Sequence, residues 1–326
     1  MAAFDTRTLR RQGASLAQEN RPAAKRLVLI YSGALALLTL GINGLYLVLD
    51  KQIGGTGGLD GMGLRSVLQT IEEVLTYVNI FFGPFWAAGF LWAMMSMVRG
   101  RTPRPVHLTA GFRCFGRVLA YLAFQFLIVV ALLAAAVNVA SVIFAFTPMG
   151  SEFAELMAPV LNDPNLITAS GAVNLELLPV GALTVAVIPM LVLTLVIFVP
   201  LYTWLSYGFR LALYLVLDGS TGVQSYFKSM RLMRGHKWQM LKLDLGFWWY
   251  YALLGLAVVV GYLDLILELM GISVPIDATV MYFVTMGAYC LLQIAITLWK
   301  KCPVDATYAL AYEAIITPEP TMAEAE

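Results

Sequence analysis

The first side chains with chemistry in reach are Glu72 and Glu73, in the stretch LQTIEEVLTYVN. Adjacent carboxylates can hold a cation, or divide the roles of general acid and base when their environments separate their pKa values. Asp264 and Glu268 make a second pair, four residues apart and so on one side of a helix. Neither pair comes with a nucleophile or a ligand set. The two histidines, His107 and His236, stand in separate basic stretches, and no HExxH, CxxC or GxSxG occurs. Cys114, Cys290 and Cys302 make neither a disulfide framework nor a metal clip. The run GGTGGLDGMG (Gly54–Gly63) lacks the GK[ST] of a phosphate loop and reads as a turn. No catalytic residue, metal ligand or cofactor is therefore expected. The simpler account of Glu72 and Glu73 is the solvated acidic face of an outer helix.

The elements that must position these residues are membrane spans. The chain has 326 residues, is 60% hydrophobic and only 13% charged, and its mean hydropathy is +0.78. Soluble domains are about half apolar. A span needs about 20 apolar residues, and Leu27–Leu49, Tyr77–Val98, Val118–Phe146, Val180–Leu205, Leu243–Leu263 and Ala278–Trp299 qualify. The first is too long for a cleavable signal and reads as an anchor. Pro189 and Pro200 interrupt the fourth, and Arg210 follows it. One span ending near Leu205, then an amphipathic extension along the surface, is expected there.

Charge sorts the connections. Of the 21 Lys and Arg residues, all but Lys51 and Arg65 lie in the head, in the second and fourth connections, or just after the last span. The positive-inside rule assigns those segments to the cytoplasm. The expectation is an all-α polytopic bundle with six transmembrane helices and both termini cytoplasmic. Residues 1–26 form a basic cytoplasmic helix, 27–300 the membrane domain, and 301–326 a cytoplasmic tail that is acidic and disordered at its end.

Within KSMRLMRGHKW, a helix over 221–234 would carry Val223, Phe227 and Met230 on one face, with Tyr226 and Met233 beside them. Gln224, Lys228 and Arg231 would take the other. Ser220 or Thr221 would cap its start and Gly235 its end. Such a helix lies in the membrane interface with its cations toward anionic headgroups. The second connection, HLTAGFRCFGR, is a weaker version, with Leu108, Phe112 and Phe115 opposite Arg113 and Arg117. The shared order of span, basic helix and span suggests a parallel internal repeat, 77–146 and 180–263. Lys228, Arg231, Arg234, Lys237, Arg113 and Arg117 are the candidate lipid- or partner-binding residues.

Polar residues in the spans are Asn43, Asn79, Gln125, Asn138 and Gln293. Hydrogen bonds between helices are their commoner use. Asn43 and Asn138 lie in the outer halves of their spans and, with Glu72 and Glu73, are the candidates for an intramembrane polar pocket. The connection 147–179 carries an amphipathic helix that Ser151 would cap, running to about Leu161.

The segment SMRLMRGHKWQMLKLDLGFWWYYALLGLAVVVG resembles the signature of the bacterial membrane proteins grouped as domain of unknown function 975. Their pattern is Ser-x-x-x-Met-x-Gly-x-Lys-x-x-x-x-Lys-Leu-x-x-Ser-Phe before a span. The head, DTRTLRRQGASLAQENRPAAKRLVLI, is similar to the basic lead helix that opens those proteins. Gly246 stands where that pattern has Ser, and CPVDATYALAYEAI follows the family's closing pattern only loosely. The resemblance implies a multi-span bacterial inner-membrane protein and supplies no catalytic residues.

The expected function is non-enzymatic: an accessory or organising protein that contacts membrane lipids, or a protein partner, through its basic cytoplasmic surface. A transporter of a small or amphipathic solute comes second and a membrane-embedded lipid enzyme third. Nucleic acid is not an expected partner, because topology already accounts for the basic residues.

Overall fold

The computed structural model describes residues 5–54, 59–161, 180–271 and 278–317. They are helical, with no strand among them. In order, the elements are α1 (Thr6–Glu19), α2 (Arg21–Gly54), α3 (Leu59–Val98), a 3-10 turn (Pro105–Thr109), α4 (Ala110–Arg113) and α5 (Phe115–Ala145). Then come α6 (Pro148–Leu161), α7 (Val180–Phe209), α8 (Ala212–Leu217), α9 (Gly222–Leu232) and α10 (Lys237–Leu245). The chain closes with α11 (Trp248–Gly261), α12 (Leu263–Leu269) and α13 (Ala278–Ile316).

Among the described residues, five stretches are long and apolar enough to cross a membrane: Arg21–Ile42, Phe81–Val98, Phe115–Ala145, Ile188–Leu217 and Val280–Ile316. The pair α10–α11, bent by 61°, makes a sixth if counted as one span. Large apolar side chains such as Phe126, Val142, Leu191 and Val196 are exposed along these helices. In water such patches drive association; in hydrocarbon they are solvated. The chain is a helical protein of membrane type.

The described helices group into two compact units. The first comprises residues 1–121 and 211–326, and α13 is its centre, packing against α1, α2, α3 and α11. At 1.5 Å per residue its 39 residues extend about 58 Å, against a hydrocarbon core of about 30 Å. Its last turns therefore continue past the span, and they are buried: Val304, Ala306, Thr307, Tyr308, Ala311 and Tyr312 are each at most 5% exposed. Over 301–316 the expected tail is a packed helix; residues 318–326 lie outside the described ones. α1 docks there through Gly13, where a Cβ would overlap Thr307 Oγ1. Asp5 starts α1 by accepting N–H bonds from Arg7 (3.0 Å) and Thr8 (3.3 Å).

The second unit, residues 122–210, contains most of α5 together with α6 and α7. Ala136, Ala140 and Phe144 form a buried stripe on α5 at helical spacing. Thr147, rather than the expected Ser151, opens α6: its hydroxyl accepts the Gly150 N–H at 3.1 Å. Proline at the first helical position explains the earlier start.

Three further expectations are corrected. The segment after Leu205 is not a surface extension, since Leu211, Ala212, Tyr214, Val216 and Leu217 are buried. It is apolar around its whole circumference and packs against α9 and α3. The stretch 243–263 is not one straight span. It breaks at Gly246–Phe247, where Gly246 N–H is shared by the Lys242 and Leu243 carbonyls and Arg10 Nη1 donates to the Gly246 carbonyl at 3.3 Å. The basic helix expected over 107–117 is a 3-10 turn and one α-turn, ended by Cys114. It lies backbone to backbone on α3, with Gly111 against the Phe85 carbonyl and Gly89 against that of Leu108.

Candidate functional site

α9 carries the largest group of the expected binding residues. Its buried face is small: Gly222, Ser225 and Ser229, with Tyr226 the large exception. A Cβ on Gly222 would press into the Arg117 carbonyl and the Tyr121 amide, so only glycine permits the approach. Tyr226 stacks on Tyr121 with centroids 5.1 Å apart, and its hydroxyl donates to the Tyr121 carbonyl at 3.1 Å. Ser229 Oγ accepts the Leu211 amide at 3.2 Å. Two other strips remain outward. Val223, Phe227 and Met230 are 43%, 58% and 36% exposed, and Lys228 and Arg231 are exposed beside them. Lys228 Nζ reaches Ser220 Oγ at 3.3 Å.

The expected fully apolar face is therefore split in the structure, with Tyr226 and Met233 turned inward and Val223, Phe227 and Met230 outward. Arg234 is exposed and Lys237 half-buried. Gly235, with φ of +93°, ends this segment. Trp238 is 62% exposed, with Lys242 Nζ 5.8 Å from its ring centre. In the second connection Arg113 is exposed, whereas Arg117 turns inward, donating to Cys114 Sγ at 3.2 Å and to the Val216 carbonyl at 3.5 Å.

A second group of polar residues, absent from the sequence expectations, lies where α3, α8 and α13 end. Arg99 Nη1 and Nη2 donate to Asp218 Oδ1 and Oδ2 at 2.8 and 2.7 Å, and Arg99 Nε donates to Glu313 Oε1 at 2.7 Å. Tyr312 donates to Asp218 Oδ2 at 2.6 Å. The Asp218 hydrogen bond is the main influence holding the Arg99 guanidinium above its usual range. Burial by itself would raise the Asp218 carboxyl. The Arg99 and Tyr312 hydrogen bonds and the Arg99 charge outweigh it and keep Asp218 below the usual carboxylate range. Both acid and base sit one residue before a left-handed glycine, Gly100 (φ +75°) and Gly219 (φ +105°). The caps match: Gly100 and Arg101 N–H bond Met97 and Ser96 carbonyls, and Gly219 and Ser220 N–H bond those of Val216 and Leu215.

Two more clusters surround α13. Lys301 is held between the rings of Tyr31 and Phe90, 5.0 and 4.8 Å from their centres, and its Nζ is 2.9 Å from Asp305 Oδ2. Tyr308 donates to Asp244, and its hydroxyl also meets that of Tyr251 at 2.9 Å.

Of the residues expected at an outer pocket, Asn43 and Glu72 have side chains outside the described residues, as does Glu268. Glu73 is exposed on α3, and Asn138 Nδ2 donates to the Ala134 carbonyl of its own helix at 2.7 Å. His107 Nδ1 accepts the Arg104 amide at 3.2 Å; burial first, then the charges of Arg104, Arg113 and Arg101, lower its pKa. His236 pairs with Gln239 at 2.9 Å. No group of three potential metal ligands occurs among the described residues.

Protein families, curated proteins and solved structures offer no match to this chain. Of the clusters that sequence reasoning missed, one had a signal: Lys301 and Asp305 are four apart, a helical ion-pair spacing. Arg99, Asp218 and Glu313 are 119 and 214 positions apart in their pairings, and no local pattern joins them.

Proposed function

We propose that the protein is a non-enzymatic, multi-pass inner-membrane protein of bacterial type that contacts anionic lipids or a partner through a basic cytoplasmic surface centred on α9. The observation that carries this reading is the division of α9 into a small buried face and an outward one. On the outward side Val223, Phe227 and Met230 adjoin Lys228 and Arg231. Apolar side chains beside cations suit the boundary between acyl chains and headgroups. The segregation of basic residues supports six spans with both termini inside. The matched caps at Gly100 and Gly219 support the parallel repeat.

Each basic residue near an anionic surface contributes about 1 kcal/mol, so reversing Lys228, Arg231 and Arg234 to Glu should weaken recruitment of anionic lipid at least about tenfold. The test compares phosphatidylglycerol enrichment around the reconstituted protein, and its co-purifying partners, with those of the triple variant. Identical lipid enrichment and identical partners would sink the proposal.

The bend between α10 and α11 favours one second reading, a transporter, since discontinuous helices form the binding sites of many carriers. Proline at positions 189 and 200 inside α7 points the same way. Solute uptake by proteoliposomes is its direct assay.

A further inference from the structure

Where α1 turns into α2, a half-open cavity of about 370 Å³ lies against α13. Small side chains create it: α1 reaches α13 at Gly13, and Ala14, Ala17 and Ala24 leave the adjoining space unfilled. Its wall has two characters. Gln18, Arg21 and Lys25 supply an amide and two cations, while Val28, Leu298 and the Trp299 ring supply an apolar side. No carboxylate lines it. Arg21 and Lys25 are exposed and make no ion pair among the described residues.

We infer that this cavity binds a phosphate-bearing anion, seated between Arg21 and Lys25 with its organic part along Val28, Leu298 and Trp299. The guanidinium fork matches two phosphate oxygens, and the lysine ammonium supplies a mobile third donor. The volume falls among small-ligand pockets, which span about 300–1,000 Å³. The site consists of other residues than α9 and stands whether or not α9 meets lipid. A phospholipid headgroup and a water-soluble phosphate share this chemistry.

The test uses the full chain, with phosphatidylglycerol in phosphatidylcholine nanodiscs and inorganic phosphate as the two probes. Phosphatidylglycerol retained through detergent exchange is counted by native mass spectrometry, and phosphate binding is read as a shift in melting temperature. The double variant Arg21→Gln/Lys25→Gln should lose retention about tenfold or more. Ala14→Phe, which fills the exposed cavity and removes no charge, should lose it too. Arg7→Gln/Arg11→Gln, which removes two charges of α1 outside the cavity, should leave retention unchanged. Retention that only the pocket variants lose identifies the headgroup as ligand. A phosphate-induced melting shift confined to proteins with an intact pocket identifies a soluble phosphate, and either result upholds the site. Wild-type behaviour in both pocket variants, equal loss in the Arg7/Arg11 control, or no response to either probe overturns it.

Discussion

Arg99 and Asp218 meet end to end, Nη1 donating to Oδ1 and Nη2 to Oδ2 at 2.8 and 2.7 Å, although 119 positions separate them. Each occupies the same place in its own helix cap, one residue before a left-handed glycine. The pair joins the end of α3 to the end of α8, and Glu313 and Tyr312 join both to α13.

A double-mutant cycle of Arg99→Ala and Asp218→Ala should give a coupling of about 1–2 kcal/mol. That lies above an exposed pair at about 0.2–1 kcal/mol and below the cost of breaking a buried one. The side chains are 34% and 23% exposed, which sets this intermediate value. Reversible unfolding in detergent measures it, and a coupling near zero would show that the pair is ornamental.

The pH dependence follows from the lowered carboxyl of Asp218. A carboxylate whose folded pKa lies below its unfolded value, about 3.9, stabilises the fold above that value and ceases to do so as pH falls through the folded pKa. The stability difference between wild type and Asp218→Asn should therefore stay constant from neutral pH down to about 5 and shrink below about 4. Melting curves across that range decide it.

His107 behaves with the same sign, because its folded pKa is also lowered. Its neutral ring accepts the Arg104 amide, and protonation abolishes that acceptor. Stability should decline as pH drops below about 6.5. His107→Gln should remove this decline, which titration of the wild type and the variant side by side would reveal.

Glycines give a packing test with an internal control. Gly111→Ala and Gly89→Ala place a methyl group into backbone atoms of α3 or the Pro105–Thr109 turn, and overpacking of this kind costs about 1–3 kcal/mol or more. Gly33→Ala meets nothing within 4 Å and should stabilise α2 by up to about 1 kcal/mol through helix propensity. Equal effects at positions 33 and 111 would contradict the close approach.

The long apolar helices were legible because hydrocarbon imposes a length and a composition that survive in the sequence alone. The outward residues of α9 were legible for a related reason, as Phe227 and Lys228 obey helical spacing. What stayed hidden depended on distance along the chain. Nothing near Gly246 announces that Arg10 will bind its carbonyl and attend the bend. Leu211–Leu217 reads as surplus apolar sequence until its neighbours α3 and α9 bury it. The stretch after Lys300 is polar enough to read as a tail, yet its alanines and tyrosines alternate to fit α1 and the end of α3.

The seating of Gly13 against Thr307 also orders events during synthesis. At roughly 5–20 residues per second, α1 emerges on the order of tens of seconds before the stretch of α13 that receives it. Through that interval its buried stripe of Leu9, Gly13 and Ala17 has only water, chaperone or membrane surface to face. The joint between them closes late and across most of the chain, so an early stop codon anywhere before Thr307 releases the amino-terminal helix as well as the segment it deletes.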